Sequence, residues 1–438
     1  MTHSIHILYE LYQRFPKVCT DSRFPINGSI FFALSGPSFN GNAFAAQALA
    51  GGCEFAIIDD ARYQADERFI VVENTLLTLQ NLANFHRKQL QAKIIAITGS
   101  NGKTTSKELI RNVLQKKFTT YATRGNLNNH IGVPLSLLEL RQETEIAIIE
   151  MGASKQGDIK ELVNIAEPDF GLITNIGKAH LEGMGGIEGV IKTKTELYDF
   201  IRSRDLHVFV NTLHSVFTEK ASGIQQITYG ENANDDVIGY FHSSDPFVKF
   251  SWKTRNDNSS LNELPVISSH LIGKYNYENL LAAACVGNFF GVSVNDINQA
   301  LEEYTPDNNR SQIITTPNNK LILDAYNANP TSMKEALSNF KEMHHPSKMV
   351  ILGQMNELGD VSQAEHQILT EAVKKLNFQT VVLVGEPYRA FVENTNMHHF
   401  STTAEAESWL KEQDFSQQLI LIKGSRSNKL EKLVEAFS

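Results

Sequence analysis

A chain of 438 residues is longer than one ordinary core holds, and 42% hydrophobic with 20% charged residues, free of Gly or Pro tracts, excludes a disordered or fibrous protein and predicts two or three folded domains. The net charge of −9 provides no general Lys/Arg surplus to neutralise a nucleic-acid backbone, so no nucleic-acid partner is expected and any phosphate ligand has to be held locally. The three cysteines, Cys19, Cys53 and Cys285, form no CxxC pair, which excludes a disulfide framework or a zinc site and fits a reducing compartment.

From the N-terminus, MTHSIHILYELYQRF interrupts its apolar positions with His, Glu, Gln and Arg, unlike the apolar core of a signal peptide. Residues 30–72 carry an Ile-Phe-Phe-Ala-Leu run, an Ala-rich helical stretch at 44–50 and short apolar runs at 55–58 and 69–72, a small α/β unit. A helix-compatible segment, 76–91, connects it to the next block, and the first boundary is expected near Gln91. There, apolar runs at 94–98, 146–150, 172–176 and 208–211 alternate with helices starting at Thr104, near Ile159 and through Lys194, which predicts a parallel, doubly wound sheet. Residues 232–262 turn polar and irregular and read as an insertion or edge region; helices follow at 277–290 and 294–304. The longest apolar stretch, 280–292, contains Asn288 and falls short of the ~20 residues that span a bilayer, so no membrane span and a cytoplasmic location are expected. Thr305-Pro306-Asp307-Asn308-Asn309 breaks structure and reads as a linker, after which runs at 321–323, 349–352, 381–384 and 419–422 predict a third α/β domain. The expected organisation is α/β throughout: 1–91, 92–306 with a central doubly wound P-loop sheet, and 307–438 with a Rossmann-like one.

The strongest local signal is IIAITGSNGKTT at 94–105, an apolar strand running into Gly99-Ser100-Asn101-Gly102-Lys103-Thr104-Thr105 and then a helix. Glycines let backbone N–H groups turn inward, the helix directs its positive end at an anion, Lys103 reaches terminal phosphates, and the Thr104 hydroxyl suits Mg2+. Ile97 stands where the full Walker pattern has Gly, so the cradle is a shortened form. A P-loop alone says nucleotide and little else. Glu150 ends a buried strand and is followed by Met151-Gly152; it is equally well read as a metal ligand at the sheet edge or as a helix-capping acid. His180, leaving the strand in TNIGKAHLE, becomes a second-metal candidate only through convergence with Glu150 and Thr104, while Lys194 taken alone is an ordinary helix lysine.

Together these residues resemble the Mur ligases: the TGSNGKT cradle, Glu150-Met151-Gly152, NIGKAHLE and the Lys-x-Glu of Lys194 and Glu196 occur in that family's order, and the resemblance extends over essentially the whole chain. It implies ATP with two Mg2+ as cofactors, metal ligation by Thr104, Glu150, His180 and a carbamylated Lys194, and catalytic roles for Lys103, His180 and Lys194. It further implies adenine contacts from Asn276 and Asn279 and nucleotide contacts from Arg310 and Asp324. DAYNANP, at Asp324 to Pro330, is similar to the signature of family members that add D-alanyl-D-alanine, which assigns Tyr326, Asn327 and Asn329 to the substrate; LGQMNELG at 352–359 and Lys423-Gly424-Ser425-Arg426 support it, and no DNPR motif is present. Ser22, Arg23, Asn40 and Gly41 resemble uridine-nucleotide-binding segments, and Asn126, Asn128 and Asn129 the loop that meets the muramoyl peptide. Tyr275 stands where His is common, and Asn211-Thr212-Leu213-His214 lacks an acidic pair often found there.

The implied reaction is amide formation through an acyl phosphate, with UDP-N-acetylmuramoyl-tripeptide and D-alanyl-D-alanine as the partners of a monomeric enzyme. A sister ligase of the folate-polyglutamating kind, a P-loop kinase and a non-catalytic nucleotide-gated protein are the alternatives. Product analysis separates them.

Overall fold

The computed structural model describes residues 4–306, 310–392 and 396–437. Asp307, Asn308 and Asn309, the core of the expected second linker, lie outside the described residues. Three sheets follow one another along the chain. The first contains β1 (Val18–Cys19), β2 (Ile30–Phe32), β3 (Phe55–Ile58) and β4 (Phe69–Val71), in that order and all parallel. The helix Thr75–Gln89, capped by the Asn74 side chain accepting from the Leu77 N–H, packs its Leu79, Leu82 and Ala83 into a core shared by β2, β3 and the next sheet. The expected connector is thus a packed helix.

The second sheet contains β5 (Lys93–Thr98), β6 (Thr120–Ala122), β7 (Ile146–Glu150), β8 (Phe170–Ile173), β9 (His207–Asn211), β10 (Gln225–Gly230), β11 (Val237–Ser244), β12 (Phe247–Thr254) and β13 (Ile267–Ile272). Its order is β13-β12-β11-β10-β9-β8-β5-β7-β6, parallel from β6 through β11 and antiparallel beyond. Uninterrupted apolar runs serve here because both faces are covered. Ile94, Ala96, Ala147 and Ile149 point into a core with the helices Asp158–Ala166 and Ile187–Ser203; Ile95, Ile97 and Ile148 point into another with Lys103–Leu114 and Tyr275–Phe289. Each such buried Ile contributes about 2 kcal/mol of transfer free energy.

β5 is followed by β7 on one side and β8 on the other, so the strand order reverses around it. A crevice opens at the carboxyl ends of strands at such a point. The polar segment at 232–262 departs from the irregular reading: it carries the long hairpin β11–β12, between β10 and the edge strand β13, in which Val237, Ile238, Val248, Phe250 and Trp252 are buried while His242 and Lys249 are exposed. Half-exposed strands carry too many polar residues to register as apolar runs.

The third sheet contains β14 (Gln312–Thr315), β15 (Lys320–Asp324), β16 (Lys348–Gly353), β17 (Thr380–Val384), β18 (Met397–Phe400) and β19 (Leu419–Lys423), ordered β14-β15-β19-β16-β17-β18 and parallel except at β14. Its two faces again divide alternate residues between separate cores, Val350 and Leu352 on one and Met349 and Ile351 on the other. Among the described residues no helix is long and apolar enough to cross a membrane.

Candidate active site

A cleft of about 970 Å3 lies where the carboxyl ends of β5, β7 and β8 meet loops of the third sheet, lined among others by Lys103, Glu150, Asn276, Arg310 and Tyr326. The cradle between β5 and the helix Lys103–Leu114 is formed by left-handed turns that only glycine adopts without strain, at Gly99 (φ 145°) and Gly102 (φ 75°). A Cβ on Gly99 would stand 2.0 Å from Thr174 Oγ1, and one on Gly102 would stand 2.7 Å from Asn279 Oδ1. Gly99→Ala is therefore expected to cost about 1–3 kcal/mol and to weaken nucleotide binding at least tenfold, as read by thermal melting and nucleotide titration.

β8 holds the cradle from the other side: the Ser100 N–H donates to the Asn175 carbonyl, the Asn101 N–H to Asn175 Oδ1, and the Thr174 hydroxyl to the Asn101 carbonyl. Asn101 Nδ2 is buried without a hydrogen-bond partner, an open donor inside the cradle that a phosphate oxygen would satisfy. Lys103 Nζ folds back to donate to the carbonyls of Gly99 (2.8 Å) and Ser100 (3.2 Å). Burial lowers its pKa, an effect that Glu150 opposes, Arg310 strengthens and Glu357 opposes.

Thr104 Oγ1 donates to Glu150 Oε2 at 2.8 Å, and Asn128 Nδ2 donates to Glu150 Oε1 at 2.9 Å. A hydroxyl beside a carboxylate, with phosphate nearby, is the oxygen donor set that Mg2+ takes, since that ion keeps several waters and needs few protein ligands. Among the described residues no group of three or more His, Cys, Asp or Glu is placed to hold a metal by itself. His180 turns its Nδ1 to Glu357 Oε2 at 2.7 Å, and this hydrogen bond leads the causes that hold Glu357 below the usual carboxylate range. Both residues adopt left-handed backbone, His180 at φ 52° and Glu357 at φ 62°. Each costs about 1–2 kcal/mol, which the surrounding contacts offset.

Lys194 lies on the buried face of the helix Ile187–Ser203 and does not line the cleft itself. Burial, then the charge of Lys103, drives its pKa well below the ordinary lysine value. Glu196, its partner in the Lys-x-Glu pattern, accepts from the Gly157 and Lys160 N–H groups and so caps the helix Asp158–Ala166.

Asn276 and Asn279 line the cleft and are bound to each other and to their surroundings: Asn279 Nδ2 donates to Asn276 Oδ1, Ser106 Oγ to Asn279 Oδ1, and Asn276 Nδ2 to the Ile272 carbonyl. Tyr275 hydrogen-bonds Ser311 at 2.9 Å. From the third sheet come Asp324, ion-paired with buried Lys423 at 2.5 Å, and Tyr326, over whose ring lie the guanidinium groups of Arg310 (3.9 Å to the centroid) and Arg426 (5.3 Å). Asn327 also lines the cleft, whereas Asn329 caps the helix Pro330–Glu342 and donates to Asn101 Oδ1 at 2.7 Å, fastening the third sheet to the cradle. Lys178 adds a second tie, to Glu365 at 2.6 Å.

Asn126, Asn128 and Asn129 line the cleft, the Asn129 side chain also accepting from the Gly132 N–H. Ser22, Arg23, Asn40 and Gly41 do not. Arg23 is exposed and paired with Asp21, Asn40 Oδ1 accepts from the Asn42 N–H, and Gly41 is held so close to Leu34 that a Cβ would meet its carbonyl oxygen at 2.0 Å. The motifs alone do not single out Asn175, Glu357, Lys423 and Arg426, since their roles come from contacts across the chain. Glu278 accepts from Asn211 Nδ2 and lies 2.8 Å from His214 Nε2.

The Mur ligase middle domain model matches residues 97–287, and the Mur ligase, glutamate ligase domain model matches residues 309–426. The UDP-N-acetylmuramoyl-tripeptide–D-alanyl-D-alanine ligase of Bacillus subtilis is 32% identical over 431 residues, 95% of this chain and 92% of that protein. The crystal structure of MurF from Acinetobacter baumannii superposes with a TM-score of 0.87 at 32% identity, covering 100% of this chain and 99% of that one. The MurF ligase of Thermotoga maritima in complex with ADP shares the fold at 24% identity, with a TM-score of 0.84 over 98% of each chain. With such identity maintained over nearly whole lengths, the chain belongs to the Mur ligase family.

Proposed function

We propose that this protein joins D-alanyl-D-alanine to UDP-N-acetylmuramoyl-tripeptide, consuming ATP and releasing ADP and phosphate. The observation that carries the reading is the single cleft in which a phosphate cradle with Glu150 faces Tyr326 and Asn327 of the YNANP segment. In this reading a carboxylate oxygen of the tripeptide attacks the γ-phosphorus and ADP leaves. The dipeptide amine then attacks the acyl carbonyl, loses a proton and expels phosphate. Two anions meet in the first step, so Lys103, the N-terminus of its helix and Arg310 offset their repulsion. Thr104 and Glu150 would hold one Mg2+, with His180 and a carbamylated Lys194 serving a second; the metals supply further charge neutralisation at the phosphates.

Asn276, Asn279 and Asp324 bind the adenosine part, Asn126, Asn128 and Asn129 face the muramoyl peptide, and Ser22, Arg23, Asn40 and Gly41 take the uridine nucleotide on the first sheet. Three domains, 1–91, 92–306 and 307–438, close around these ligands in a monomer. ATP and a nucleotide-linked substrate make the cytoplasm its site of action.

The test is phosphate release from ATP with the UDP-muramoyl tripeptide, with and without D-alanyl-D-alanine. Release that needs both, with a product heavier by the dipeptide less water, is the expected result. Release indifferent to the dipeptide would remove it as substrate and favour another amine donor such as glutamate.

A further inference from the structure

β15 and β19 are parallel neighbours with Asp324 and Lys423 in register, so the loops that follow them emerge side by side at the edge facing the cradle. Tyr326 comes two residues after Asp324 and Arg426 three after Lys423, and the Arg426 guanidinium lies over the Tyr326 ring. The loop bearing Arg426 is fixed at its base: Asn428 Nδ2 donates to the Gln354 carbonyl, Asn356 Nδ2 to Ser427 Oγ, and the Asn356 N–H to Ser425 Oγ. Arg310 shares the ring, and its charge reaches Lys103 in the cradle. Neither arginine has an acidic partner among the described residues, although both line the cleft. Two like charges held over one ring repel each other, and an anion between or beside them removes that cost.

We infer that Arg426, steadied by Tyr326, binds the free C-terminal carboxylate of the incoming dipeptide; the inference rests on the substrate reading above. A guanidinium stacked on an aromatic face leaves its N–H edge open, and that edge matches a carboxylate with two parallel hydrogen bonds. A dipeptide reaches about 7 Å from end to end, so anchoring its carboxylate here leaves its amine free to extend along the cleft toward the phosphates. Lys423 is unsuited to the task, being committed to Asp324.

The experiment removes the charge from each side in turn: initial rates of phosphate release with D-alanyl-D-alanine and with its C-terminal amide, for the unaltered enzyme, Arg426→Ala and Arg426→Lys. The unaltered enzyme is expected to show a KM about 10–100-fold higher for the amide. Arg426→Ala is expected to raise the KM for the dipeptide by a similar factor, to leave the KM for ATP within about twofold, and to treat dipeptide and amide alike, because the two deletions remove one interaction. Arg426→Lys should recover part of the discrimination. The Arg426 residue is exposed, so the variants should melt as the parent does. Discrimination that survives in Arg426→Ala, or a rise confined to the KM for ATP, overturns the site while leaving the substrate reading intact. An unaltered enzyme whose phosphate release ignores the dipeptide would bring down both.

Discussion

Lys103→Met is expected to lower kcat for phosphate release by about 10²–10³-fold while leaving the melting temperature within a few degrees of the parent. The expected asymmetry follows from what the side chain touches. Its ammonium donates only to the Gly99 and Ser100 carbonyls, within the loop it springs from, so little tertiary structure depends on it. Burial works against its charge, Arg310 adds to that, and Glu150 and Glu357 oppose it, so the charge contributes little to holding the apo fold. The charge becomes useful when phosphates occupy the cradle and a carboxylate approaches the γ-phosphorus. Stopped-flow phosphate release and calorimetric ATP binding separate the two roles: a large loss of rate with a smaller loss of ATP affinity is expected, and an unchanged kcat would remove Lys103 from the chemistry.

How far the site could be read in the sequence depends on the distance over which each feature is encoded. The cradle was legible because strand, glycine turn, lysine and helix are consecutive, and the doubly wound sheet because β5, β7 and β8 are unbroken apolar runs. Glu150 was ambiguous alone; its contacts with Thr104, 46 residues away, and with Asn128 resolve its position beside the cradle. The tie between Asn101 and Asn329 joins residues 228 apart, and the placing of Glu357 against His180 or of Arg426 over Tyr326 has no local pattern at all. The Lys-x-Glu pattern offers a subtler case. Glu196 looks like a partner for Lys194, yet it spends both carboxylate oxygens on the start of another helix. On the first sheet, the Asn and Arg residues expected to meet a nucleotide are engaged in local turns and surface pairs, contacts a short polar motif makes whether or not it also binds a ligand.

The proposed carbamate makes Lys194 the other position where a large effect is expected. Carbamylation needs an unprotonated amine: the nitrogen lone pair attacks the carbon of CO2, a C–N bond forms and one proton leaves. A solvent-exposed lysine is almost wholly protonated at neutral pH. At Lys194, burial and the neighbouring charge of Lys103 depress the pKa, so the reactive form is populated at a lower pH, and the product is an anion beside Lys103 where a second cation would be repelled. Lys194→Arg should therefore lose about 10²-fold or more in kcat, because a guanidinium stays charged and cannot add CO2. It should also lower the melting temperature by several degrees, because it confines a permanent charge on a helix face that is buried. Lys194→Met tests the two effects separately, with activity lost and the fold kept. On the acid side, the activity of the parent enzyme is expected to fall as pH drops through the depressed pKa, since protonation of the amine releases CO2. The direct check is a carbamate carbon resonance from enzyme equilibrated with ¹³C-labelled CO2, present in the parent and absent from both variants. Full activity of Lys194→Arg in CO2-depleted buffer would exclude the carbamate and leave Lys194 as a packing residue.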